Sequence, residues 1–207
     1  MIIDTSEQGS QEWLQARSGV LTASEFKKLI TPTGKPTSGK VRQDYLLEKA
    51  NEILTGEPAN EAFVSTWMER GTELEPQARA FYEFVTGNTV TQAGLIYSDE
   101  SKRVGASVDG LVNDDGNQEI KCPKLTTHLR YLIDGKVPTD YVPQVQGQMM
   151  VTGREFCDFV SFHPGAVKQG LIVRVDRDDE YIKKLSAAIE QALEELEGYT
   201  TQLKEAA

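Results

Sequence analysis

Residues 105–123 read GASVDGLVNDDGNQEIKCP. Apolar and polar residues alternate on both sides of Asn113–Asn117, the pattern of a β-hairpin with its turn there. Val108, Leu111, Val112, Ile120 and Cys122 suit strands in the middle of a sheet. Asp109, Glu119 and Lys121 do not, because unpaired charge is costly in a buried strand. Glu119 and Lys121 are two apart and share one face, with Ile120 and Cys122 on the other. Folding at Asp114–Gly116 brings Asp109 nearly opposite Glu119. The competing reading is a surface hairpin with a solvated charge pattern.

Two facing carboxylates repel, and Lys121 supplies one compensating charge. A hard divalent cation supplies the rest. Mg²⁺ prefers oxygen ligands and is commonly held by one or two carboxylates plus substrate phosphate. The matching chemistry is phosphodiester hydrolysis. A lysine beside the attacking water can orient it, deprotonate it or stabilise developing charge.

Outward from the hairpin, the N-terminal half reads helical. SQEWLQAR has Ser10 as a cap, and TASEFKKLI opens with Thr22 and Glu25 at capping-box spacing. VRQDYLLEKANEILTG stops at Gly56, and FVSTWMERGTELEPQARAFYEFVTG is one long or broken helix with Gly71 and Pro76 as weak points. TVTQAG, LIYSD and VGASVDGLV are strand-like. THLRYLIDG and YVPQVQGQMMVTG return to helix, EFCDFVSFH and LIVRVDR to strand, and a long amphipathic helix begins near Asp178 or Asp179. The expected fold class is α/β, with a central mixed β-sheet flanked by helices.

The chain has 207 residues and no Pro/Ser-rich linker, so residues 1–207 are expected to form a single domain. The start lacks a basic, then apolar, leader pattern, and no apolar run approaches membrane-spanning length. Two cysteines without a CxxC, and two histidines, speak against a disulfide framework or zinc site and fit a reducing cytoplasm. The net charge of −10 opposes a generally basic nucleic-acid surface but leaves room for a local basic channel.

SVDG…QEIKCP resembles the PD-(D/E)xK nuclease motif, with Val108 in the usual proline place. WLQARSGVLTAS, RGTELEPQARAFYE, IYSDES, QEIKCP and PQVQGQMMVTG follow in the order and approximate spacing of lambda exonuclease and the YqaJ-type viral recombinases. The resemblance runs from about Trp13 to the C-terminal helix. It implies a restriction-endonuclease-like core with two Mg²⁺ ions, for which Mn²⁺ would substitute. By resemblance Asp109 bridges the ions, Glu119 binds one, and the Ile120 carbonyl completes the set. Lys121 is then the catalytic lysine. Glu75 is the helical acid that helps position the attacking water, with Glu73 as its rival. Gln146 is the active-site glutamine, with Gln144 as the alternative. Arg17, Ser24 and Ser107 match residues that hold the 5′-phosphate of a DNA end. Arginine's planar fork suits a phosphate, and Ser24 falls in a first helical turn, where free amides favour anions. Met68 matches an apolar wedge at the duplex end. Trp13 and Trp67 read as core anchors, and His128 and His163 as structural residues.

The resemblance further implies a homotrimer ring around linear double-stranded DNA, in the cytoplasm of a bacterial host, with a phage single-strand annealing protein as partner. Lys27, Lys28, Lys35, Lys40 and Arg42 could contact the duplex. The implied activity is a 5′→3′ double-strand DNA exonuclease that releases 5′-mononucleotides and leaves 3′ overhangs for recombination. Two alternatives stay open: an endonuclease of restriction or repair type, and a non-catalytic DNA-end-binding module.

Overall fold

The computed structural model describes residues 2–59 and 66–206, without the side chains of residues 66–69 and 72. Nine strands and six α-helices form a mixed α/β fold among the described residues. The N-terminal third supplies β1 (Ile2–Ile3), α1 (Gln11–Ala16), β2 (Leu21–Thr22) and α2 (Lys40–Thr55). The helix α3 (Thr66–Thr86) leads into β3 (Val90–Thr91), β4 (Leu95–Tyr97), β5 (Val104–Ser107), β6 (Gly110–Val112) and β7 (Gly116–Lys121). Then follow α4 (Leu125–Asp134), α5 (Val142–Thr152), β8 (Phe156–Phe162), β9 (Gly170–Asp176) and α6 (Asp179–Ala206).

Caps fix several helix ends. Ser10 accepts from the Trp13 amide, Asp178 from the Tyr181 amide, and Gly56 closes α2 with φ +71°. The capping box does not form. Residues Ala23–Lys28 wind as a 3₁₀ turn, Thr22 makes no side-chain cap bond, and Glu25 pairs with Lys28 at 2.7 Å. The tighter winding changes where the i+3 side chain points. Gly71 and Pro76 do not break α3, which runs through both.

The strands form two mixed sheets rather than one. The first has the order β1-β4-β5-β2 and the second β3-β6-β7-β8-β9. The segment VGASVDGLV is therefore two strands: β5 ends at Ser107 in the first sheet and β6 begins at Gly110 in the second. Gly110 is required there, since a Cβ would lie 2.2 Å from Val90 Cγ1. Asp109 stands in the break between the sheets.

Strand β7 occupies the middle of the second sheet, antiparallel to β6 and parallel to β8. Its two faces go to different helices. Ile120 joins Ala78 and Tyr82 of α3, Phe156, Val160 and Phe162 in one core. The other face meets α5, where Asn117 Nδ2 donates to Thr152 Oγ1. A larger core gathers Phe26, Leu46, Ile96, Ala106, Val108 and Leu185 between the first sheet, α2 and α6. Gly147 lets α5 press against the 3₁₀ turn, because a Cβ there would meet the Phe26 ring at 2.4 Å. That contact fixes which face of α5 turns toward β7.

Candidate active site

The register pairs Gly110 with Gln118, and Asp109 N donates to Gln118 O at 3.2 Å, so Asp109 lies across from Glu119 as the hairpin pattern predicts. The strand has already ended at Asp109, and its carboxylate turns to the β7 backbone, where Oδ2 accepts from Ile120 N at 2.6 Å. In a paired strand the amide and carbonyl of one residue face the same edge. The Ile120 carbonyl therefore opens on the same side as Asp109.

Glu119 is 1% exposed and surrounded by donors. Lys121 Nζ makes an ion pair with Oε1, Gln144 Nε2 donates to Oε1 at 2.7 Å, and Gln148 Nε2 donates to Oε2 at 2.5 Å. The Lys121 ammonium also lies 5.3 Å from the Tyr141 ring centre, a cation–π distance. Burial would lower the Lys121 pKa, but Glu119 and Asp109 outweigh it and raise it, so the lysine is charged here. Burial, and then the charge of Glu119, push the Asp109 carboxyl well above its ordinary range.

Glu75 faces the same place from α3, while Glu73 is exposed. Burial raises the Glu75 pKa, with Arg79 opposing and the Glu119 charge adding to the rise. Arg79 Nη2 donates to Glu75 Oε1 at 2.7 Å and to the Asp109 carbonyl at 3.2 Å. Glu75, Arg79 and Asp109 line a cleft of about 320 Å³, walled by Thr5–Gln8 and Gln92–Gly94. Among the described residues no group of three or more His, Cys, Asp or Glu side chains is spaced to hold a metal. The oxygen set at hand is two carboxylates, one carbonyl and Glu75 across the cleft. It is all hard donors, and Asp109 meets the charge of Glu119 in a buried place. Both features fit a hard dication.

Gln146 is not brought to these carboxylates. Its Nε2 donates to Asp176 O at 2.9 Å, and its Oε1 accepts from Asp178 N at 2.9 Å, which ties α5 to the start of α6. A helix turns about 100° per residue, so Gln144 and Gln148 share a face and Gln146 points roughly the opposite way. Gln144 and Gln148 hold Glu119 instead. The four-residue spacing was visible in PQVQGQ, but only the seating of Gly147 tells which face looks at β7. Met68 lies outside the described side chains, as does Trp67.

Arg17, Ser24 and Ser107 do come together. Arg17 Nη1 donates to Ser107 Oγ at 3.3 Å, and Nη2 to Ser24 Oγ at 3.4 Å and Thr22 Oγ1 at 3.2 Å. Burial lowers the Arg17 pKa, as expected of a cation removed from water without a full counter-charge. The 3₁₀ turn at Ser24 is too short for a helix-dipole argument, so the guanidinium supplies the charge. Trp13, read as a core anchor, packs beside Leu95 and Tyr97 and also donates from Nε1 to Ser107 Oγ at 3.2 Å. Gln148 joins the two clusters, because its Nε2 also reaches the Ser107 carbonyl at 3.3 Å.

Of the basic residues near the glycine-rich loop, Arg42 is withdrawn from any duplex. It is 5% exposed and bonds Glu195 at 3.0 and 3.2 Å and the Leu29 carbonyl at 3.2 Å. Lys28 is engaged with Glu25. Lys27, Lys35 and Lys40 are exposed. His128 is buried and bonded to Ser161 Oγ at 2.8 Å and Lys168 O at 2.9 Å, a structural role. No described helix is long and apolar enough to cross a membrane.

Crystal structures of an alkaline exonuclease (LHK-Exo) from Laribacter hongkongensis superimpose with TM-scores of 0.85 and 0.84 at 39% identity. The match covers 95% of this chain and 97% of that one. It bears out the restriction-endonuclease-like architecture. A phage-related exonuclease from Haemophilus somnus 129PT, 18% identical over 91% of this chain and 96% of its own, shares the fold with a TM-score of 0.64. An uncharacterised protein of Acanthamoeba polyphaga mimivirus is 29% identical over 74% of this chain, which spans only 29% of that relative's length. The model of the YqaJ-like viral recombinase domain matches residues 12–155, most of the sequence. The chain belongs to the YqaJ-like viral recombinase family.

Proposed function

We propose that this chain is a Mg²⁺-dependent 5′→3′ double-strand DNA exonuclease that releases 5′-mononucleotides and leaves 3′ overhangs for recombination by strand annealing. One observation carries the reading. Asp109, Glu119 and Lys121, which we read as the hydrolytic cluster, are joined through Gln148 to Arg17, Ser24 and Ser107, which we read as the anion-binding one. A phosphodiester reader without chemistry has no use for the first, and an endonuclease has no use for a dedicated end-phosphate site beside it.

Asp109, Glu119 and the Ile120 carbonyl would hold the ions, two per site by family resemblance, with Mn²⁺ as a substitute and Glu75 near them. Bound there, Mg²⁺ would polarise the scissile phosphate and lower the pKa of water. The side chains do the rest. Lys121, kept charged by Glu119 and pointed by Tyr141, stabilises negative charge on the phosphoryl group as it develops. Glu75, held by Arg79, orients the attacking water from the α3 side. Arg17 and its three hydroxyls hold the terminal 5′-phosphate and so set the register of the bond that is cut.

The relative LHK-Exo was crystallised with dAMP, a 5′-mononucleotide, which supports that product class for this chain. Residues 1–207 act as one nuclease domain, three copies form a ring in the cytoplasm of a bacterial host, and a phage annealing protein takes the exposed strand. A ring reconciles a net charge of −10 with DNA, because only the channel lining need be basic. The test is linear duplex labelled separately at each 5′ and 3′ end, with and without Mg²⁺, beside covalently closed circular duplex. Early loss of 5′ label in Mg²⁺ alone, with the circle intact, is expected. Nicking of the circle makes it an endonuclease, and binding without cleavage makes it an end-binding module.

A further inference from the structure

The proton of one hydroxyl is decided by its neighbours. Ser107 Oγ accepts from Trp13 Nε1 at 3.2 Å and from Arg17 Nη1 at 3.3 Å. A serine oxygen has two lone pairs and one proton. With both lone pairs engaged, Ser107 can only donate, and a donor-only hydroxyl suits an anion. The same indole also sets the arginine. The Arg17 guanidinium carbon lies 4.3 Å from the centre of the Trp13 ring, a stacked cation–π contact that fixes the plane of the fork. Trp13 and Arg17 are four apart at the end of α1, the spacing that puts them on one helix face.

We propose that Trp13 is a positioning residue that aims Ser107 and Arg17 at a terminal phosphate and so sets discrimination between 5′-phosphorylated and 5′-hydroxyl DNA ends. This rests on the end-phosphate reading of the Arg17 cluster. The indole packs with Ile2, Ala16, Val20, Leu95 and Tyr97, and a phenyl ring would keep that packing. What the phenyl ring lacks is the N–H that, together with Arg17 Nη1, fixes the Ser107 proton. Trp13→Phe therefore separates aim from packing.

The experiment compares kcat/KM on linear duplexes with 5′-phosphate and 5′-hydroxyl ends for wild type, Trp13→Phe, Ser107→Ala and their double variant. Loss of one neutral hydrogen bond predicts that Trp13→Phe narrows the preference about five- to tenfold. Ser107→Ala narrows it at least as much, and adding Trp13→Phe to Ser107→Ala changes it by less than about twofold. A merely structural tryptophan would lower both rates together. An unchanged ratio in Trp13→Phe, with a collapsed ratio in Arg17→Ala, overturns the role of Trp13 and leaves the phosphate site standing. An unchanged ratio in Arg17→Ala refutes the phosphate site, and the role of Trp13 with it. Should Trp13→Phe fail to fold, the Trp13 indole N–H resonance of the wild-type protein decides. It should move with dAMP and not with deoxyadenosine, and equal movement with both overturns the proposal.

Discussion

Replacing Gln148 with leucine removes a wholly buried amide that holds Glu119 Oε2 at 2.5 Å and the Ser107 carbonyl at 3.3 Å. A hydrogen bond to a charged group is worth about 1.5–3 kcal/mol, and the longer bond to the carbonyl adds less than about 1. The sum is about 3 kcal/mol, which in a chain of this size lowers the melting temperature by about 6–12 °C. Glu119 would keep Gln144 and Lys121 but lose the donor that fixes its second oxygen. Loss of such a supporting bond typically costs 10–100-fold in metal affinity or activity. Gln146→Leu is the control. It loses two bonds, to Asp176 O and Asp178 N, and about 2 kcal/mol, yet touches neither carboxylate. Both variants melt early, but only Gln148→Leu should need about 10–100-fold more Mg²⁺ for half-maximal cleavage. Thermal melts in chelator, with Mg²⁺ titrations of the cleavage rate, read both quantities. A raised Mg²⁺ requirement in Gln146→Leu and an unchanged one in Gln148→Leu would refute the assignment of the two faces of α5.

Lys121→Met keeps an apolar stem against Tyr141 and should lower single-turnover cleavage by about 10²–10⁴ while duplex ends still bind; cleavage within tenfold of wild type removes Lys121 from the chemistry. Asp109 has a folded-state pKa raised above its unfolded value, so stability is full at low pH and lost as pH rises through the folded value. In chelator at pH 8, Asp109→Asn should therefore melt above wild type, and the gap should close as pH falls toward about 4; a lower melting point at pH 8 contradicts the repulsion argued here. Asp158 is 2% exposed and accepts from Tyr82 Oη at 2.6 Å and from Arg174 at 2.9 and 3.0 Å. Discounted for the half-exposed arginine, Asp158→Ala should cost about 2–3 kcal/mol with no change in Mg²⁺ requirement, read by denaturant melts.

The hairpin carried its own solution, since parity and turn position put Asp109 opposite Glu119 without further information. Local signals also served Ser10, Gly56 and the start of α6, where one residue or one φ decides the end. The longer-range features were not legible. VGASVDGLV reads as one strand-like run, and Gly110 with the adjacent Leu111 and Val112, where its alternation lapses, does not say that the chain changes sheets at Val108–Asp109. That break shows only in the partners, β4 for β5 and β3 for β6, which lie elsewhere in the chain. PQVQGQ offers three glutamines, and the choice among them needed the docking of Gly147 on Phe26. Trp13 reads as a core residue from composition alone, because its indole bond spans more than ninety positions. Arg42 reads as a surface cation until α6 brings Glu195 over it.

The change of sheet at Asp109 makes the gap between the two acids a mechanical gauge. Asp109 follows the end of one ribbon yet is held to β7 by its amide and its carboxylate, so a tilt of one β-layer against the other would load those two bonds and, once they give, change the spacing of the acids. Repacking of Val108, Ala106 or Ile96 would then surface as altered ion selectivity before it showed as unfolding. Thermostabilising redesign of that interior would need to be screened by ion titration as well as by heat.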